Sequence, residues 1–189
     1  MRRTVLSFAL LMSVIACSSE EKASKAPEAV SMTVTGTALD LGAITVMVPD
    51  GWTTQPPSSS MRKAQFVLPK QGDDAEDAEM VVFYFGTGSA GSVDANLDRW
   101  RGQMIGAEGD TQKGSANGMA VTTLDVKGAY ASSMGPRMQP GQTKPNFRMI
   151  ASIVESPAGA YYFKLTGPQI TISHWHGSFT QFINSAKGS

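Results

Sequence analysis

The run FRMIASIVESPAGAYYFKLT occupies residues 147–166 and decides the fold class. Phe147, Met149, Ala151 and Ile153 alternate with Arg148 and Ser152, and Tyr161, Phe163 and Leu165 alternate with Tyr162 and Lys164. Side chains of a strand point alternately to its two faces, so two such runs across the short Ser156–Gly159 connection predict an antiparallel hairpin with one buried face. This reading places Ala151 and Ile153 on the same face as Phe163 and Leu165 and turns Lys164 outward, because a one-residue slip exchanges the faces.

Working towards the N-terminus, Met119–Ala131 reads as a further strand, and Ser132–Asn146 (SSMGPRMQPGQTKPN) as a long exposed Gly/Pro-rich loop. Ser92–Met104 reads as a helix: Ser92 is an N-cap, Asp94 suits the positive end of the dipole, and Val93, Leu97, Trp100 and Met104 form one apolar stripe. Gly106 and Gly109 close it, leaving Gly106–Gly118 polar and glycine-rich. Met80–Phe85 is continuously apolar and therefore a central strand covered on both faces. Met61–Leu68, Ala43–Val48 and Met32–Ala38 are strand candidates, and Pro49-Asp50-Gly51 makes a turn. Beyond the hairpin, Ile172, Trp175, Phe179, Phe182 and Ile183 recur at helical spacing within Thr171–Ala186. The sum is an α+β domain over residues 31–189, a central antiparallel sheet of about six strands flanked by two or three helices.

The N-terminus carries an address. Met1-Arg2-Arg3 followed by an apolar run over Thr4–Ala16 is the pattern of an export signal, too short to span a bilayer comfortably. Cys17 is the only cysteine of the chain, so no intramolecular disulfide or cysteine-based metal site is possible. Ser18–Val30 (SSEEKASKAPEAV) is polar and without periodicity, a flexible tether filling out residues 17–30. With residues 1–16 removed, 14 basic face 16 acidic side chains, a balance without the basic footprint that nucleic acid requires.

Val14-Ile15-Ala16-Cys17 resembles the lipobox of bacterial lipoproteins. That resemblance implies diacylglycerol on the Cys17 thiol, cleavage before Cys17, and membrane anchoring. Each buried methylene contributes about 0.8 kcal/mol, and stable anchoring needs two chains or more. Ser18, rather than Asp, implies the periplasmic face of the outer membrane. Pro49–Trp52, Ser60–Ala64, Val82–Gly86, Ser92–Gln103, Arg148–Ile153 and Phe163–Pro168 together resemble a family of uncharacterised bacterial lipoproteins over most of residues 45–185. More distantly, the order of elements is similar to the PsbP-like fold, which includes photosystem II extrinsic subunits and a Ran-binding nuclear-import factor, non-enzymatic binding proteins. No functional residue transfers from those relatives, since no site motif matches.

Chemistry-bearing motifs are sparse. Gly86-Thr87-Gly88-Ser89-Ala90-Gly91 has the G-x-G-x-x-G form after a strand and before a helix, but the second parallel apolar strand that a dinucleotide site needs does not follow. Free N–H groups at that helix start remain able to hold an anion. His174 and His176 diverge on a helix and flank Trp175 near solvent rather than converge on a metal. Asp73–Glu79 lacks the spacing of a calcium loop and reads as a solvated acidic loop. No G-x-S-x-G elbow is present. Asn96, Arg99 and Gln103 share a helical face beside Trp100, either as anchors of the helix or as a polar surface for a ligand or partner. The functional expectation is a lipid-anchored, non-catalytic envelope protein without cofactor or metal, binding an envelope protein or component. The alternative is a periplasmic small-ligand or metal-binding protein, or an envelope enzyme. A water-excluding pocket with perturbed titratable groups would favour that alternative, and a flat apolar patch the first reading.

Overall fold

The computed structural model describes residues 36–88, 90–131 and 143–189. The expected export signal over 1–16, Cys17, the expected tether over 17–30, the start of the first strand candidate and most of the expected 132–146 loop lie outside the described residues.

Among the described residues, ten strands and two helices follow in the order β1 (Gly36–Asp40), β2 (Ile44–Pro49), β3 (Thr53–Gln55), β4 (Arg62–Leu68), β5 (Ala78–Tyr84), α1 (Val93–Arg101), β6 (Met104–Ala116), β7 (Met119–Tyr130), β8 (Lys144–Ser156), β9 (Gly159–Pro168), α2 (Gln169–Asn184) and β10 (Lys187–Gly188). Seven of the strands form one sheet in the order β3-β4-β5-β9-β8-β7-β6, antiparallel at every pairing. A second, three-stranded sheet runs β1-β2-β10. The expected antiparallel α+β architecture is present, with one more strand in the main sheet than expected and a small sheet beside it. As expected, β5 is central: Met80, Val81 and Val82 are all buried.

The 147–166 run is a hairpin, but its register corrects the expected faces. Ile150 pairs with Leu165, Ala151 with Lys164, Ser152 with Phe163 and Ile153 with Tyr162. Directly opposed residues point the same way, so Phe163 and Leu165 share a face with Ile150 and Val154, while Ala151 and Ile153 share the other with Tyr162 and Lys164. Both faces are buried. Ile150, Val154, Tyr161, Phe163 and Leu165 join the core beneath α2 with Ile172, Phe179 and Phe182. Met149, Ala151, Ile153 and Tyr162 join a second core beneath α1 with Leu97 and Trp100. A pattern that looked like simple alternation is therefore a run covered on both sides.

Three further corrections concern the extent of elements. The first helix stops at Arg101, where Gly102 caps it, and Met104, still buried at 3% exposure, reaches the core from the first residue of β6. Gly106–Gly118, polar in sequence, lies largely within the thirteen-residue edge strand β6, of which only the terminal Met104 and Ala116 are buried. An edge strand wet on both faces carries no apolar alternation, which is why its sequence resembles a loop. Lys144–Asn146, expected within the loop, already belong to β8.

The second helix shows how a distant segment completes a local structure. Its N-cap position is Pro168, whose side chain can accept no hydrogen bond. Asp74 supplies the acceptor instead: the backbone N–H and the hydroxyl of Thr171 both donate to Asp74 Oδ2, at 2.7 Å each. The acidic 73–79 stretch, expected as a solvated loop, thus contributes a helix cap, and Asp77 accepts from the Lys70 N–H at 2.9 Å.

Candidate functional site

The two faces of the main sheet are covered unequally. One is packed by α2 along β8 and β9, with β2 on the helix as well, whereas α1 contacts β6, β7 and β8 on the other. On this second face, α1 leaves most of β4, β5 and β9 uncovered and reaches β9 through Trp100 against Tyr162. Register lines up Glu79 with Thr166, Val81 with Lys164, and Phe83 with Tyr162 across β5 and β9. The result is a cleft floored by two strands with Lys164 at its middle.

Lys164 separates two hollows. One, of about 310 Å³, is bordered by Arg62, Glu79, Tyr130, Lys144 and Thr166. The other, of about 350 Å³, is bordered by Phe83, Phe85, Arg99, Trp100, Gln103 and Tyr162, with Met61 at its edge. The Lys164 ammonium donates to Gln103 Oε1 at 2.5 Å and more weakly to the Tyr130 hydroxyl at 3.4 Å, and it stands 5.2 Å from the centre of the Tyr130 ring. Burial is the largest influence on it and lowers its pKa from 10.5 to about 8; the Glu79 carboxylate pulls it back up, and Arg62 and Arg99 push it further down. Tyr130 is shifted upward, first by burial and then by Glu79, with Arg62 opposing.

The carboxylate nearest in this balance is already engaged. Glu79 Oε1 receives Arg62 Nη1 at 2.8 Å and Gln65 Nε2 at 2.9 Å. At the rim, Lys144 pairs with Glu76 and lies 5.4 Å from the Phe147 ring centre, while Phe147 stacks on Tyr130. Thr166 Oγ1 is buried and finds no hydrogen-bond partner among the described residues. Chemically, the cleft offers cationic donors above an aromatic wall.

The three residues singled out on the helix separate. Asn96 is buried at 1% exposure and clamps the start of α1: its amide donates to the carbonyls of Ala90 at 2.7 Å and Ser92 at 2.9 Å, and its Oδ1 accepts from Arg99 at 2.6 Å. It is an anchor and does not reach the cleft. Arg99 and Gln103 do reach it. Gln103 arrives from the turn after α1, where its N–H bonds to the Trp100 carbonyl, rather than from the helix itself. Lys164 escaped the sequence reading because the alternation turned it outward. The available signal was the density of apolar residues at both parities of MIASIV, residues 149–154, which marks a strand with no wet face.

Other motifs play structural parts. After Gly86–Gly91 (Ser89 lies outside the described residues) and α1, the chain enters β6 at the far edge, paired antiparallel with β7, so no parallel strand–helix–strand unit forms. The start of α1 is capped by Ser92 Oγ, which accepts from the Ala95 N–H at 3.2 Å. His174 and His176 are exposed on α2, and Trp175 between them donates its indole N–H to the Pro69 carbonyl. Among the described residues, no group of three His, Cys, Asp or Glu side chains is placed to hold a metal, and no helix is long and apolar enough to cross a membrane.

No family model matches the chain, and no curated protein matches it. Solved structures do. The solution structure of the cyanobacterial PsbP protein CyanoP, from Synechocystis, is 12% identical with a TM-score of 0.50, covering 78% of this chain and 87% of that one. A Pseudomonas aeruginosa protein of unknown function is 17% identical with a TM-score of 0.47, covering 79% and 94%. At such identity the CyanoP likeness speaks for the fold alone, and the fold is PsbP-like.

Proposed function

We propose that this protein is a lipid-anchored, non-catalytic binding protein of the bacterial envelope, held through Cys17 at the periplasmic face of the outer membrane. It engages an envelope protein or component through the cleft around Lys164. The observation that carries this reading is the lysine itself. Sheltering an ammonium costs stability unless it is paired, and Lys164 is held by a neutral amide and a phenol, with no carboxylate within ion-pair distance among the described residues. A costly cation retained at the floor of an open cleft indicates a binding role. The rim supports contact with a partner: Met61 is 62% exposed and Phe85 36%.

A photo-crosslinking residue at Phe85 tests the reading in intact cells. A discrete crosslinked species should form, absent when the same residue replaces Lys113 on β6, and diminished by Arg99→Gln. Equal capture from both positions, or none from either, rejects the cleft as the binding surface. The second reading, a small-ligand carrier or envelope enzyme, draws on the lowered pKa of Lys164, which leaves part of its amine neutral near neutral pH and able to attack a carbonyl. Borohydride trapping of a covalent adduct on Lys164 would favour it.

A further inference from the structure

Charge, donor geometry and wall chemistry in the larger hollow together define what fits there. Among the cations bordering the cleft, Arg62 is matched by Glu79 and Lys144 by Glu76. Arg99 and Lys164 have no carboxylate partner among the described residues; the one bond of Arg99 goes to the neutral Asn96 amide. Both border the same hollow, and Arg99 disfavours the charge of Lys164, so an anion between them relieves a repulsion already present. The available donors border one hollow: the remaining N–H groups of the Arg99 fork, a proton of the ammonium, and the Gln103 amide group, whose oxygen is already occupied by Lys164.

The walls are apolar. Phe83 stacks on Phe85 with ring centres 6.1 Å apart, Phe85 meets Tyr162 at 5.7 Å, and Tyr162 meets Trp100 edge-on at 6.2 Å. A guanidinium fork and an ammonium satisfy the two oxygens of a carboxylate. A phosphate would leave further oxygens against aromatic carbon, where an unmatched polar atom is costly. A hollow of about 350 Å³ has room for a ring or short acyl chain behind the charged group.

We propose that the hollow between Arg99, Lys164 and the Phe83–Phe85–Tyr162–Trp100 wall binds a carboxylate carried on an aromatic or short acyl body. This rests on the binding role of the cleft and names what it recognises. The carboxylate is either that of a free small acid or the C-terminus of a chain ending in an aromatic residue.

Isothermal titration calorimetry of the full-length chain in a nonionic detergent separates these sources. One arm uses phenylacetate, with phenylethanol as its uncharged counterpart. The other uses an acetylated peptide ending in Phe, as free acid and as amide. At least one acid should bind about tenfold or more tightly than its uncharged counterpart. A stronger peptide acid identifies a chain terminus as the source, and equal binding by phenylacetate a free acid. Arg99→Gln and Lys164→Gln should each weaken the acid by about tenfold, Arg99→Lys by less, and Lys113→Gln not at all. Arg99 is exposed on α1, so its variants test the site even where Lys164→Gln disturbs folding, which circular dichroism reveals. Acids that bind no better than their uncharged counterparts, or that ignore Arg99→Gln, overturn the proposal. Should crosslinking at Phe85 persist in that case, the binding role stands and only the carboxylate falls. Should phenylacetate bind as expected without any crosslinked species, the envelope partner falls and the ligand site stands.

Discussion

Replacing Lys164 by Met should stabilise the protein near neutral pH and remove a rise in stability at alkaline pH. Methionine keeps the length of the aliphatic stem and deletes the ammonium that burial disfavours. The folded-state pKa lies at about 8 against an ordinary 10.5. At about 1.4 kcal/mol per pH unit that interval amounts to about 3 kcal/mol, reduced to about 2 by solvent in the open cleft. The sign follows from proton counts. Between the two pKa values the unfolded chain binds the proton that the folded protein has released, so the wild type gains stability as pH rises from about 8 towards 10.5. Below about 8 both states are protonated and the full penalty applies. The methionine variant has no such term, so its advantage is largest near pH 7 and shrinks by about 2 kcal/mol on the way to pH 10. Tyr161 and Tyr162, shifted upward mainly by burial, lower stability in both proteins once unfolded tyrosines ionise, and they cancel in the difference. Tyr130, raised by burial and by Glu79, touches Lys164 directly, so the comparison is kept below its ordinary value of 10.0. Equilibrium urea unfolding of both proteins across this range, followed by far-ultraviolet circular dichroism, measures the difference. A stability difference that does not change with pH, or a variant less stable than wild type at neutral pH, refutes the reasoning.

Other expectations are as direct. Asp74→Ala removes the remote cap of α2 and leaves the Thr171 N–H without its acceptor, so urea unfolding should show a loss of about 1–2 kcal/mol, most of it recovered by Asp74→Asn. Gly51→Ala meets two obstacles, a backbone φ of +86° and a new Cβ placed 2.8 Å from the Trp175 ring. It should cost about 1–3 kcal/mol in thermal or urea unfolding and shift the tryptophan emission, whereas an unchanged spectrum and midpoint would contradict the packing described. Cys17→Ser should abolish lipid attachment, since the hydroxyl lacks the nucleophilicity of a thiolate, and membrane fractionation should find the precursor uncut. Processing and anchoring like the wild type would remove the lipoprotein reading.

Much of the architecture was legible along the chain because it rests on local periodicity. Ser92 and the Leu97–Trp100 stripe announced α1, the Ile172–Ile183 stripe announced α2, and Met80–Phe85 announced a central strand, each through spacing that any neighbour of suitable shape would complete. The identity of Cys17 and the apolar run before it likewise need no partner in space to be read. What the chain could not disclose depends on residues meeting from far apart. Strand β6 has no apolar pattern because its pairing with β7 is made by backbone groups, which every sequence carries. Asp74 caps a helix through Thr171, 97 positions away, a relation invisible to any local signal. Lys164 is the clearest case. Which parity of the 161–166 strand faces which core was decided by the register with β5 and β8 and by the placement of α1 over only part of the sheet. That incomplete cover set the lysine beside Arg99 of α1, Gln103 of the turn after it and Tyr130 of β7, and made a cleft where alternation alone predicted solvent.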